Sequence, residues 1–171
     1  IQEIGFGLYS ELLRRTVLAL KSGQIVNLDD AIDARVEVEL HIPALLPENY
    51  LPDVHARLIL YKRIASARGA EELKDLREEI IDRFGVFGSP VDNLFRVTSL
   101  RLDAEHFGIR RIDLGGRGGR IEFHSNTNID PSSIIDLVQT DPDYRMDGGE
   151  KLRIVKELPD REARFEELAF L

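Results

Sequence analysis

Glu79, Asp82 and Arg83 are the residues whose types and spacing most clearly offer chemistry to a partner. At roughly 100° per residue of an α-helix they fall within an arc of about 100°. Two carboxylates and one guanidinium would then stand side by side. Such a trio can form several charge-assisted hydrogen bonds with an Arg- or Asp-bearing surface. The spacing also allows a plainer arrangement, in which Glu79 and Arg83 pair at i,i+4 on a solvated face and contribute only about 0.3 kcal/mol. Leu73, Leu76, Ile80, Ile81 and Phe84 gather on the other side, so the segment from about Ala70 to Phe84 is an amphipathic helix with Gly85 as its stop.

A second group with chemical potential is the cluster Gly115-Gly116-Arg117-Gly118-Gly119. It does not make a phosphate cradle. GxxxxGK[ST] is absent, and G-x-G-x-x-G fails because Ile121 stands in the third glycine position when Gly116 and Gly118 fill the first two. The cluster also leads from strand to strand, so no helix N-terminus follows to hold an anion. It reads as a hairpin turn. Arg110, Arg111, Arg117 and Arg120 form a local basic patch around it, which leaves nucleic-acid binding by segment 110–120 as the alternative function. His41, His55, His106 and His124 show no ligand spacing, cysteine is absent, and no G-x-S-x-G elbow occurs. No enzyme signature, metal site or cofactor site is expected in this chain.

Composition sets the outer bounds. The 171 residues suit one domain, or two small subdomains, and 43% hydrophobic with 32% charged residues argues against wholesale disorder. With 23 Lys+Arg against 31 Asp+Glu the net charge is −8, which disfavours dominant binding to a phosphate backbone. No apolar run approaches the ~18 residues of a membrane span and no leader peptide is evident. A cytoplasmic, monomeric domain is expected. The chain opens at Ile1, holds Met146 as its single methionine, and closes on Ala169-Phe170-Leu171 in a helical pattern without a cap, which suggests a piece of a longer polypeptide.

The elements that must position these groups follow from periodicity. Leu8 to Leu20 is helical with Gly23 as a stop, and 21–34 is a connector. Arg35 to Leu40 alternates as a half-buried strand, and Pro43, Pro47 and Pro52 keep His41 to Pro52 extended. A helix ending at Gly69 is predicted to turn Val54, Leu58, Tyr61 and Ala65 inward. Ser89 caps another, with Pro90 in its first turn and Val91, Leu94, Phe95, Thr98 and Leu102 on its inner face. Ile109 to Leu114 and Arg120 to Phe123 are strands, Asp130-Pro131 opens a helix through Val138, and Tyr144 to Met146 and Leu152 to Val155 flank the Asp147-Gly148-Gly149 turn. Asp160 caps a terminal helix carrying Ala163, Phe165, Leu168 and Ala169. The fold class is α+β. A helical part with one strand (about 1–107) is packed with a C-terminal mixed or antiparallel sheet and flanking helices (about 108–171).

Several runs together resemble one family. Leu60-Tyr61-Lys62-Arg63-Ile64-Ala65-Ser66-Ala67, then Glu72-Leu73, then Glu79-Ile80-Ile81-Asp82-Arg83-Phe84-Gly85 are similar to the C-terminal domain of bacterial transcription-repair coupling factors. So are Gly5-Phe6 with Leu8-Tyr9, Leu45-Leu46-Pro47 with Tyr50 to Val54, and Gly108-Ile109. The pieces keep the family's order and spacing along the whole chain, more loosely at 21–35 and at the end. One departure is Gly88, where the family commonly has proline. The resemblance implies a parent that is an ATP-driven (ATP and Mg in its motor domains) double-stranded-DNA translocase. That parent displaces stalled RNA polymerase and recruits the damage-recognition subunit of nucleotide excision repair. It implies that this domain is a regulatory clamp docked on the parent's N-terminal domain, with Glu79, Asp82 and Arg83 as the docking face. By itself the chain is expected to have no catalytic residues and little or no DNA binding.

Overall fold

Alternation of apolar and charged side chains over Arg111–Leu114, Arg120–Phe123 and Lys151–Ile154 builds the strands of a mixed sheet that contains two hairpins. The computed structural model describes residues 36–170, and the helix expected over Leu8–Leu20, the connector after it and Arg35 lie outside them. Five strands, β1 (Glu37–Glu39), β2 (Ile109–Gly115), β3 (Gly118–Phe123), β4 (Tyr144–Met146) and β5 (Lys151–Ile154), take the order β1-β2-β3-β5-β4. β1 runs parallel to β2, with Val38 opposite Ile112, and the remaining pairs are antiparallel. Five helices complete the described elements: α1 (Val54–Ala65), α2 (Ala70–Phe84), α3 (Ser89–Phe107), α4 (Pro131–Thr140) and α5 (Arg161–Phe170). The fold is α+β. None of these helices is long and apolar enough to cross a membrane.

Two compact units share the chain. The described part of one is 43–99, and that of the other comprises 36–42 and 100–170, so α3 is the helix that passes from the first into the second. In the first, the proline-rich link is tied down rather than loose. Leu45 N–H donates to the Pro90 carbonyl at 3.0 Å, Leu46 N–H to the Tyr61 hydroxyl at 2.7 Å, and the buried Asn93 side chain to the Pro43 carbonyl at 2.8 Å. Buried polar groups need such partners. Phe87 meets Tyr50 edge-on at 6.2 Å and stacks on Phe95 at 6.0 Å, while Arg77 lies 5.0 Å over the Phe87 ring and pairs with Asp92.

The second unit buries one face of the sheet: Ile112, Leu114, Ile121, Leu152, Ile154 and Tyr144 are nearly inaccessible. Helix α5 is fastened near both edge strands. Its Arg164 donates to the Leu40 and His41 carbonyls just after β1, and its buried Glu167 accepts from the Tyr144 hydroxyl of β4 and from Lys156 at 2.8 Å. Burial, together with this hydrogen bond to an anion, pushes the Tyr144 hydroxyl far above its ordinary pKa. Asp130 and Asp160 cap α4 and α5 as their sequence positions suggest, accepting from Ser132 and Ala163 N–H.

Two expectations need correction. The inward stripe of α1 is Leu60 and Ile64, whereas Val54 is 58% exposed. Leu58, Ile59, Leu60 and Tyr61 are apolar in succession, so periodicity alone could not choose among faces about 100° apart. That helix also ends at Ala65 with Ser66 as its cap, and Gly69 is instead the residue before α2.

The glycine turn is dictated by close approach. A Cβ on Gly118, at φ +90°, would meet the Ile154 carbonyl oxygen, and one on Gly119 the Asp113 carbonyl oxygen. Neither neighbour can move without opening the sheet. Gly119→Ala should therefore cost about 3 kcal/mol or more, whereas Gly149→Ala, which meets nothing within 4 Å, should stay within about 0.5 kcal/mol of wild type. Urea unfolding midpoints of the two variants check this directly.

Candidate functional site

Helix α2 is placed by three devices. Leu73, Leu76 and Ile80 form its buried stripe. Its N-terminal turn carries Glu71 and Glu72, favourable beside the positive end of the helix dipole, and Glu72 accepts from Arg68 N–H at 2.9 Å. At the other end Gly85 adopts φ +87°, which a residue with a Cβ rarely does, and its N–H closes on the Ile81 carbonyl at 2.8 Å. The Tyr50 hydroxyl donates to the Gly85 carbonyl at 2.7 Å, anchoring the helix end to the proline-rich link.

Asp82 is exposed opposite the buried stripe, whereas Glu79, half-buried, and Arg83, exposed two turns from the buried Leu76, lie along its border. Glu79 is not a free carboxylate. Arg63 of α1 donates to both of its oxygens, at 2.7 and 2.6 Å, and Arg83 donates to Oε1 at 2.9 Å. One carboxylate thus orders two guanidiniums. Asp82 is exposed, and its side chain has no ion-pair partner among the described residues. The Arg83 guanidinium also rests 5.0 Å from the Phe84 ring. What faces water is therefore a small alternating surface, with unused N–H groups of Arg63 and Arg83 beside the Asp82 carboxylate. Arg63 was not found from the sequence, because it sits 16 residues away on another helix. Val86, 86% exposed just beyond the helix end, adds one apolar tip.

The Arg63 and Arg83 hydrogen bonds hold the Glu79 pKa at about 2, against an ordinary 4.5. A depressed carboxylate contributes stability that is complete above about pH 4.5 and fades as pH falls toward 2. With 34% of the side chain exposed, screening keeps that contribution to no more than about 1 kcal/mol.

The alternative site is less available than its sequence suggested. Arg110 and Arg120 both pair with the buried Glu122, and Arg111 pairs with Glu37 and lies 3.6 Å from Asp113. Burial raises the Glu122 pKa, but the Arg110 hydrogen bond and the charges of Lys151, Arg110 and Arg120 more than offset it, and the net shift is downward. Only Arg117 of the four lacks a carboxylate partner among the described residues. No cluster of three or more metal-ligating side chains occurs among those residues either. His41 Nε2 donates to the Asp113 carboxylate at 2.8 Å, with Glu39 3.8 Å from its other ring nitrogen.

Glu79→Gln should flatten the dependence of stability on pH between about 4.5 and 2 while lowering stability at pH 7 by no more than about 1 kcal/mol. Chemical denaturation of both proteins at several pH values reads the difference.

Comparison with known proteins places the chain. A family model described as the TRCF domain matches residues 40–134, more than half of the chain. The transcription-repair-coupling factor of Haemophilus influenzae is 44% identical over 167 residues, covering 97% of this chain and 15% of that protein. The one from Escherichia coli K12 is 42% identical over 167 residues, covering 97% of this chain and 14% of that protein. The chain thus spans about one seventh of the length of these relatives. A crystal structure of the C-terminal domain of a transcription-repair coupling factor shares the fold, with a TM-score of 0.68 and 21% identity over 78% of this chain and 87% of that one. The α+β fold, the family-model match and the near full-length alignments agree: this chain belongs to the TRCF domain family.

Proposed function

We propose that this domain regulates a transcription-repair coupling factor by docking, through the outer face of α2, on the N-terminal domain of the same parent protein. The observation that carries the reading is the Arg63–Glu79–Arg83 cluster with Asp82 on the same helix as Glu79: a preorganised set of both charge signs held between α1 and α2. Preorganisation matters because the guanidiniums are already oriented and lose little freedom on binding. The complementary surface presents a carboxylate toward Arg63 and Arg83 and a cation toward Asp82. Charge pairs desolvated at such a contact are each worth about 1.5 kcal/mol or more. They leave no adhesive apolar surface once the contact opens.

The proposal extends to the parent. It is an ATP-dependent DNA translocase acting in the cytoplasm on stalled RNA polymerase, with ATP and magnesium in its motor domains and none needed here. While the clamp is closed, the surface for the excision-repair damage-recognition subunit is masked. Opening shifts an autoinhibited population toward the active one. This chain serves as a monomeric interaction module without catalysis of its own.

Replacing Glu79, Asp82 and Arg83 together with alanine in the parent should raise affinity for the damage-recognition subunit at least about tenfold and raise basal ATPase activity. Circular dichroism should show an unchanged fold, since none of the three belongs to the buried stripe of α2. Equal affinities for wild type and variant, with the fold intact, would return this face to an ordinary solvated surface.

A further inference from the structure

The solvent face of the sheet in the second unit carries a row of like charges that its own fold does not explain. Strand register sets Arg145 of β4 opposite Arg153 of β5, and Arg153 opposite Arg120 of β3. Lys151 lies two residues from Arg153 on the same face, and Arg117 projects from the adjoining turn. Arg120 spends its Nε on Glu122 at 3.1 Å. Arg117, Arg145 and Arg153 have no carboxylate partner among the described residues, whereas Lys151 stands opposite Glu122. Like charges directly opposite on adjacent strands destabilise a sheet. A charged edge strand can guard against aggregation, but that accounts for Arg145 alone, because β5 and β3 are interior strands.

A groove of about 370 Å³ lies at the Arg120–Arg153 end of this row, lined by Arg117, Arg120, Lys151 and Arg153, with Asp147 and Asp113, the partner of Arg120 on β2, also on its wall. We propose that this face binds an acidic helical segment of another polypeptide, independently of the surface on α2. The spacing matches. Cross-strand neighbours have Cβ atoms about 4.5–5.5 Å apart, and residues four apart on a helix have theirs about 5–6 Å apart. A helix lying across the strands with Asp or Glu at i, i+4 and i+8 sets one carboxylate against each of Arg145, Arg153 and Arg120. Guanidinium and carboxylate then pair through two parallel hydrogen bonds. A nucleic-acid strand fits less well. Its unbroken phosphates would be repelled by Asp113, Asp147 and a chain of net charge −8, whereas a helix can turn neutral residues toward the two aspartates.

The test uses the 171-residue chain and a labelled alanine-based helical peptide bearing Glu at i, i+4 and i+8, compared with its Glu→Gln counterpart. The Glu peptide should bind at least about tenfold more tightly than the Gln peptide. The preference should shrink as salt is raised. It should vanish in the Arg145→Gln, Arg153→Gln double variant, which should melt no lower than wild type because the like-charge row is relieved. An equal response to the two peptides, a preference retained in the double variant, or a lower melting temperature for it would overturn the proposal. So would tighter binding of an oligothymidylate than of the Glu peptide, which would assign the face to nucleic acid.

Discussion

Burial of one face only, on the sheet and on α2 alike, is the constraint from which the charge distribution of this protein follows. In the sheet, Ile112, Leu114, Ile121, Leu152 and Ile154 are sequestered, so period-two alternation sends Arg111, Asp113, Arg120, Lys151 and Arg153 to the opposite face. A one-residue slip of β3 against β5 would exchange Ile121 for Arg120 on the buried face. Burying that guanidinium without a partner would cost far more than the slip could recover. On α2 the same logic operates with helical period: sequestering Leu73, Leu76 and Ile80 sends Asp82 to the far side and leaves Glu79 and Arg83 along the border of the stripe.

What the exposed charges do next depends on their neighbours. Where carboxylates and guanidiniums alternate, they satisfy one another, as Glu122 does with Arg110 and Arg120 and as Glu79 does with Arg63 and Arg83. The two cases differ in solvent access. The Glu122 side chain is 10% exposed and serves the sheet, whereas 34% of Glu79 reaches solvent along with the guanidiniums it orders. The first is a structural tie. The second is a surface with fixed geometry, which is what recognition of a complementary charged partner requires.

The sequence was legible where one pattern dominated. The amphipathic stripe of α2, both glycine-bearing hairpins and the aspartate caps of α4 and α5 follow from local spacing and recur in the structure. Failures came where the deciding contact is distant. The alternation around Val36–Leu40 shows a strand but not that β1 would pair in parallel with β2, some 74 residues along the chain. For α1, four consecutive apolar residues left the inward face undetermined until tertiary packing selected Leu60 and Ile64. Arg63 was missed for a related reason. A tight antiparallel pairing of α1 and α2 would have set it near Glu72, yet it reaches Glu79, and Glu72 instead accepts from the Arg68 backbone. Buried Glu122 and Glu167 likewise look like surface residues until their partners from other elements are known.

The proposed docking of this domain on another part of its parent rests on complementary charge at the outer face of α2. Titrating this chain with the parent's N-terminal domain, supplied as a separate polypeptide, at low and raised ionic strength tests it most directly. A one-to-one complex is expected, with an affinity that falls as salt is raised and falls again when Asp82, which has no ion-pair partner among the described residues, is replaced by lysine. Absence of a complex at low salt, or a complex indifferent to both salt and the Asp82→Lys change, would contradict it.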